Sequence, residues 1–265
     1  MSRNNNRKPL FSLIGDFIVS GLWIPACLVL SIFFPVFSEA SAGPFKIPEK
    51  FVYDLSWTGI KAGTASLELV DDGNTFRIIS TARSADWISV FFTVEDRVES
   101  TLARNSLSPE FGRPLKYKLS IREGRHRKNK EVLFDRENNK ARYVDYLTNE
   151  KKEFDVPVSV LDPIASFYYL RLMKLVVGES VYVTIFDSKK VWNVEVQVLR
   201  KERLTLPIGT FDTVVVKPLM KSEGIFYRKG EIVIWLTDDA KHVPVKMQTK
   251  VAVGSVIATL VQASY

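Results

Sequence analysis

Asp238, Asp239 and His242 stand within five positions of one another, a spacing at which a carboxylate can orient an imidazole for proton transfer. A hydrolase would add a serine nucleophile, but no G-x-S-x-G elbow occurs, and Ser255 after Gly254 falls in a strand pattern. Asp238-Asp239-Ala240-Lys241 has the composition of a surface turn with His242 on its exit. The other histidine, His126, lies in Arg125-His126-Arg127-Lys128 and reads as a solvated loop residue. Two histidines and one cysteine, Cys27, do not make a His/Cys zinc site, which draws three or four such ligands. Asp71-Asp72-Gly73-Asn74 lacks the spaced oxygens of a calcium loop and reads as a hairpin turn. Gly59-Ile60-Lys61-Ala62-Gly63 is too short for G-x-x-x-x-G-K-[ST], so it is no phosphate loop. No catalytic residue, metal site or cofactor is assigned, and the expectation is a protein that is not an enzyme.

Two groups of side chains remain as candidates for binding. Between Arg113 and Lys130 there are eight Lys/Arg and one acid, Glu123. Lys116, Lys118, Arg122, Arg125, Arg127 and Lys128 could meet an anionic lipid surface or an acidic envelope protein. Strand alternation accounts equally for Lys116, Lys118 and Arg122 as the wet face of a half-buried strand. Nucleic acid is not expected, because aromatic residues are thinly interleaved with this charge. The second group, Trp57, Ile60, Phe91, Phe92, Tyr168, Trp192 and Trp235, could line a cavity for a lipid or other apolar ligand. Each also fits ordinary core or cross-strand packing. Phe91-Phe92 is distinctive, because neighbours on a strand point to opposite faces and one ring would leave the core.

The elements that position these residues begin after a leader. Arg3, Arg7 and Lys8 precede an uncharged apolar run from Phe17 to Phe37, and Ala40-Ser41-Ala42 has the small-x-small pattern of a signal cleavage site. Residues 1–42 are therefore expected to be removed on export to the periplasm, leaving one domain at 43–265. The alternative is an uncleaved inner-membrane anchor at 17–37, since roughly 20 apolar residues span a bilayer. Ile24-Pro25-Ala26-Cys27 resembles a lipoprotein processing site only faintly. Lipidation there would leave an apolar tail in water. Without the leader's cysteine the domain has no thiol and needs no disulfide.

From Phe51 onward the pattern has period two. Trp192, Val194, Val196 and Val198 share one strand face; Leu115, Tyr117, Leu119 and Ile121 share another; Val243, Val245 and Met247 repeat it. Turn residues at Asp71–Asn74, Glu137–Asn139, Pro207–Gly209 and Lys229-Gly230 divide the chain into about a dozen strands, a mainly β fold of sandwich or open-barrel type. Leu161 to Leu175 breaks the pattern and predicts one core helix, with Asp162 as N-cap, Pro163 in the first turn and Gly178 as a stop. Arg122 to Lys130 reads as the most loop-like span. Gly59 and Gly63 are expected at positive φ where the first two strands turn back, with apolar Ile60 at the tip covered by another segment or rimming a cavity.

Several segments resemble an exported bacterial family known as domain of unknown function 3108. They are Tyr53, Trp57, Gly59-Ile60 and Ala62-Gly63; Asp162-Pro163-Ile164-Ala165-Ser166-Phe167-Tyr168 with Arg171; Pro207-Ile208-Gly209-Thr210-Phe211; Ile234-Trp235-Leu236-Thr237-Asp238-Asp239; and Pro244-Val245. The resemblance covers about Phe51 to Leu260 and implies an envelope setting and a mostly antiparallel β architecture. A curved sheet around a helix would be similar in outline to periplasmic lipoprotein carriers, which frames two expectations. One is a holder of a lipid or apolar ligand; the other is an envelope interaction module using the basic hairpin 113–130.

Overall fold

A computed structural model describes residues 45–104, 112–187, 189–219, 231–251 and 254–265. The leader, with the expected cleavage site and the alternative anchor at 17–37, lies outside the described residues. Fourteen strands and two helices follow in order: β1 (Glu49–Trp57), β2 (Ile60–Asp71), β3 (Thr75–Ser84), α1 (Asp86–Ser89), β4 (Glu95–Ala103), β5 (Pro114–Glu123), β6 (His126–Asp135), β7 (Lys140–Asp145), β8 (Glu150–Asp155), α2 (Pro163–Leu170), β9 (Ser180–Asp187), β10 (Lys190–Leu206), β11 (Gly209–Leu219), β12 (Ile232–Thr237), β13 (Pro244–Lys250) and β14 (Ser255–Ser264). Among the described residues no helix is long and apolar enough to cross a membrane.

All strands join one sheet in the order β8-β7-β6-β5-β4-β3-β2-β1-β14-β13-β12-β11-β10-β9. Chain neighbours are sheet neighbours except at the centre, where the first and last strands pair from Lys50↔Ser264 to Trp57↔Val256. The sheet curls but does not close into a barrel. Its edges, β8 and β9, approach through side chains: Lys189 Nζ meets Glu150 at 2.5 Å, and Phe186 stacks near Phe154 and Phe134 at 5.5 and 6.2 Å. Leu161, just before α2, adds a single parallel bridge to Ile185 on the outer edge of β9.

The inner face carries the core predicted by alternation. Phe51, Tyr53, Leu69, Ile78, Leu102, Tyr117, Leu119 and Tyr143 are buried there, with Val196, Val198, Val214 and Leu236 from the other half. Helix α2 sits against β3, β4 and β9. Asp162 caps it as predicted: one carboxylate oxygen accepts from Ile164 N and Ala165 N, the other from Ser100 Oγ at 2.5 Å. The helix is shorter than 161–175. It stops at Leu170 because Arg171, Leu172 and Met173 turn back to carbonyls only three residues earlier. That tightening points Arg171 at Glu49, in a fork of 2.7 and 2.8 Å, while its Nε and Nη2 donate to the carbonyls of Lys241 and His242. Phe45, Tyr168 and Phe51 face the same guanidinium at 4.5, 4.9 and 5.3 Å. One side chain therefore ties the helix end to the first strand and to the turn between β12 and β13.

The described residues form fourteen strands, in keeping with the dozen or so expected. Three sequence expectations are corrected. A one-turn helix, α1, joins β3 to β4. Arg122 to Lys130 is not a loop: Arg122-Glu123 end β5, His126 onward is β6, and only Gly124-Arg125 lie between. Gly63 is not at the turn. Thr58 and Gly59 form it at φ 50° and 87°, closing Trp57↔Ile60. Gly63 lies inside β2 beside a register shift, where a Cβ would stand 2.2 Å from the Arg83 carbonyl oxygen. Its role is close approach of two backbones rather than a left-handed turn.

Candidate docking surface

Antiparallel pairing puts alternate strand tips at one end of the sheet. The β1–β2 turn lies there, and Val256 beside Trp57 brings the start of β14 level with it. Gly63↔Ser84, Arg83↔Glu95 and Arg97↔Ser120 carry the same end across β3, β4 and β5 to the β5–β6 turn. The segment around α1, which joins β3 to β4 at this end, is fixed on both sides. Ala85 N donates to Ala62 O at 2.8 Å, and Trp87 Nε1 donates to Lys61 O at 3.1 Å, holding the segment to the β1–β2 hairpin. On the other side Gly124 N donates to Thr93 O, and the Phe92 ring packs so closely on Gly124 that a Cβ there would be 2.6 Å from it. Within the segment, Ser84 Oγ accepts from Val94 N and bonds to Ser89 Oγ.

These anchors present apolar side chains to solvent. Phe91 is 86% exposed, Val90 78% and Ile60 59%, and Trp57, Trp87 and Phe92 are exposed as well. Among the described residues Ile60 is not covered by another segment: Gly254, before β14, lies against Thr58, whose Cγ2 would be 2.6 Å from a Cβ on that glycine. Beside this cluster stands the basic tip of β5–β6. Arg127 Nη1 donates to the carbonyls of Gly124 and His126 at 2.6 and 2.8 Å. Arg122 reaches Glu95 only at 3.5 Å, and its N–H donates to Asp96. Arg125 is exposed at the turn.

The structure thus gathers Trp57, Ile60, Phe91 and Phe92 with Arg122, Arg125, Arg127 and Lys128, and it separates the remaining candidates. Tyr168 is fully buried against Arg171. Trp192 lies near the β9 edge of the sheet, with Lys190 Nζ 4.0 Å above its ring. Trp235 sits on the face opposite Ile234 and Leu236, its Nε1 bonded to Glu202 and Lys246 4.5 Å above it. Lys116 and Lys118 are on the outer face of β5 farther from the tip, Lys116 paired with Glu131 at 2.9 Å. The seven apolar candidates therefore do not line one cavity. Sequence reasoning left Val90 out of the site. The signal was present in Asp86-Trp87-Ile88-Ser89-Val90-Phe91-Phe92, an apolar run with neither strand alternation nor a long helical period.

The acid–histidine arrangement does not form a proton-transfer pair. Asp239 Oδ1 accepts from Thr237 Oγ1, Lys241 N and His242 N, while His242 Nδ1 faces the Arg171 carbonyl at 2.7 Å. The buried polar groups lie elsewhere, inside the curl. Burial pushes Asp162 up to about 6 despite its N–H partners, raises the Tyr117 hydroxyl well above its usual range and lowers Lys130.

The sequence profile described as "Protein of unknown function (DUF3108)" matches residues 52–261. The chain belongs to that family. None of the curated proteins matches it. Among solved structures, the DUF3108 domain is similar to a β-barrel-like protein of domain of unknown function DUF1849 from Brucella abortus, at 10% identity and TM-score 0.53, over 82% of this chain and 97% of that one. That likeness establishes a shared fold only. A Bacteroides fragilis protein with a YmcC-like fold aligns at 8% identity and TM-score 0.34, over 84% of this chain and 98% of that one.

Proposed function

We propose that this DUF3108 domain is a non-catalytic, exported module of the cell envelope that docks on an anionic lipid surface through the rim just described. The observation that carries this reading is the exposed set Trp57, Ile60, Trp87, Val90, Phe91 and Phe92, held by specific contacts beside Arg122, Arg125 and Arg127. Scattered exposed apolar residues are ordinary, whereas a gathered set marks an interaction surface. Tryptophan and phenylalanine suit the boundary between headgroups and acyl chains, and each nearby Lys or Arg adds about 1 kcal/mol against an anionic leaflet. The leader pattern of residues 1–42 supports export. The inner face is packed with the chain's own side chains, Arg171, Tyr117, Tyr143, Tyr168 and Phe186 among the largest, which favours docking over an enclosed lipid.

Co-sedimentation of the purified protein with phosphatidylcholine vesicles, with and without phosphatidylglycerol, tests this. Binding is expected to the mixed vesicles and to weaken as salt rises. Phe91→Asp is expected to abolish it without moving the melting temperature, since that ring is exposed. A wild-type protein that ignores both vesicle types removes the proposal.

A further inference from the structure

Next to the aromatic rim, on the outer face of β3 to β6, lies a groove of about 380 Å³. Arg83, Arg97, Arg122 and Arg127 line it from that face, against two acids, Glu95 and Asp96. We propose that this groove holds the phosphodiester headgroup of an anionic glycerophospholipid, an inference that rests on the docking reading and gives it a lipid-selective site.

The cations divide by what already occupies them. Arg97 is forked onto Glu99, and Arg122 shares Glu95 and Asp96. Arg127 is braced by two backbone carbonyls, which fixes its guanidinium beside the groove while leaving its charge unmatched. Among the described residues Arg83 has neither an ion pair nor a side-chain hydrogen bond, whereas Lys128, opposite Ile121 in the register, belongs to the inner face. The groove therefore contains more positive charge than its own acids neutralise, and part of that charge is pre-oriented. Thr81, Ser120 and Asn129 supply polar groups between the cations. Planar guanidinium groups suit the paired oxygens of a phosphate. No aromatic ring lines the groove, so a nucleobase would find no platform to stack on.

Position selects a lipid over a soluble phosphoester. Arg122 and Arg127 flank Gly124-Arg125, the turn on which Phe92 packs. Exposed Leu147 closes the neighbouring side of the groove. With Phe91 and Val90 seated among the upper acyl carbons, the mouth of the groove comes level with the phosphate layer.

The test compares wild type, Arg83→Gln/Arg127→Gln and the charge-matched control Lys118→Gln/Lys151→Gln on phosphatidylcholine vesicles with and without phosphatidylglycerol. The control cations are exposed and outside the groove. Removing two charges at the surface is expected to weaken binding to the anionic vesicles about tenfold or more, with affinity for neutral vesicles unchanged. The control is expected to stay within about twofold of wild type, because its lysines lie outside the groove and farther along their strands from the β5–β6 turn. Equal losses in both variants would leave docking intact and overturn the groove as a site. Titration with glycerol 3-phosphate separates the sources: saturable binding without vesicle binding reassigns the groove to a soluble phosphoester and overturns the lipid assignment. Failure of both ligands on wild type overturns this inference and the docking reading together.

Discussion

With its guanidinium forked onto Glu49 and faced by three rings, Arg171 has no exposed surface, and Glu49 almost none. Attraction between two such charges mostly offsets the cost of drying them, so the pair contributes more to register than to net stability. Removing one partner is different. Arg171→Met strands a buried carboxylate and is expected to lower urea stability by about 3–5 kcal/mol, while Glu49→Gln/Arg171→Met recovers part of the loss. Asp162 gives a pH signature instead. Its folded value of about 6 lies above the ordinary 3.8, so its contribution to stability is complete below about pH 4 and is lost as pH rises to about 6. Asp162→Asn keeps an oxygen to accept from Ile164 N and Ala165 N but cannot ionise. The variant is expected to gain on wild type by up to about 3 kcal/mol between pH 4 and 6, read from denaturant midpoints across that range. A constant difference across that range would contradict the shift.

The strands were legible because one face of each is buried, and a buried face imposes alternation that survives whatever lies on the other side. Tyr117, Leu119 and Ile121 show this: all three are buried, with Lys118 and Ser120 between them and Arg122 after them. The helix was legible at its start, where Asp162 and Pro163 are local signals, and not at its end. Arg171 ends it by binding Glu49, 122 positions away, and no local residue announces that. Gly63 was read as a turn glycine for the same reason, since the Arg83 carbonyl it must admit lies on another strand. The two glycines of the first hairpin should therefore respond differently. Gly63→Ala drives a methyl into backbone at 2.2 Å and should cost more than Gly59→Ala, which meets no atom and has only its φ of 87° to strain, worth about 1 kcal/mol. Thermal melting of the two variants compares them directly.

At the scale of the molecule, a sheet of fourteen strands remains open because β8 and β9 meet through side chains rather than backbone. Phe186 carries much of that closure from β9, against Phe134 and Phe154. Phe186→Ala should cost about 3–5 kcal/mol through the cavity it leaves. Hydrogen exchange should then quicken first in β8 and α2, which the seam covers, while β1 and β14 at the centre stay protected. Uniform loss of protection would mean that the seam and the sheet centre unfold as one unit.

The sequence by itself determined the mainly β class, the capped start of α2 and the scarcity of cysteine and histidine, because each depends on residue type or on spacing along the chain. It also marked the basic stretch. Tertiary structure alone decided which apolar residues face solvent. Phe91 is exposed because Trp87 reaches Lys61, 26 positions back, and Phe92 rests on Gly124 across two strands, whereas Tyr168 is buried where α2 packs it on Phe45 and beside Arg171. Periodicity assigns a side chain to a face of its strand. It does not say which end of the sheet a tip occupies, nor which other tips stand beside it, and the candidate surface consists of that neighbourhood.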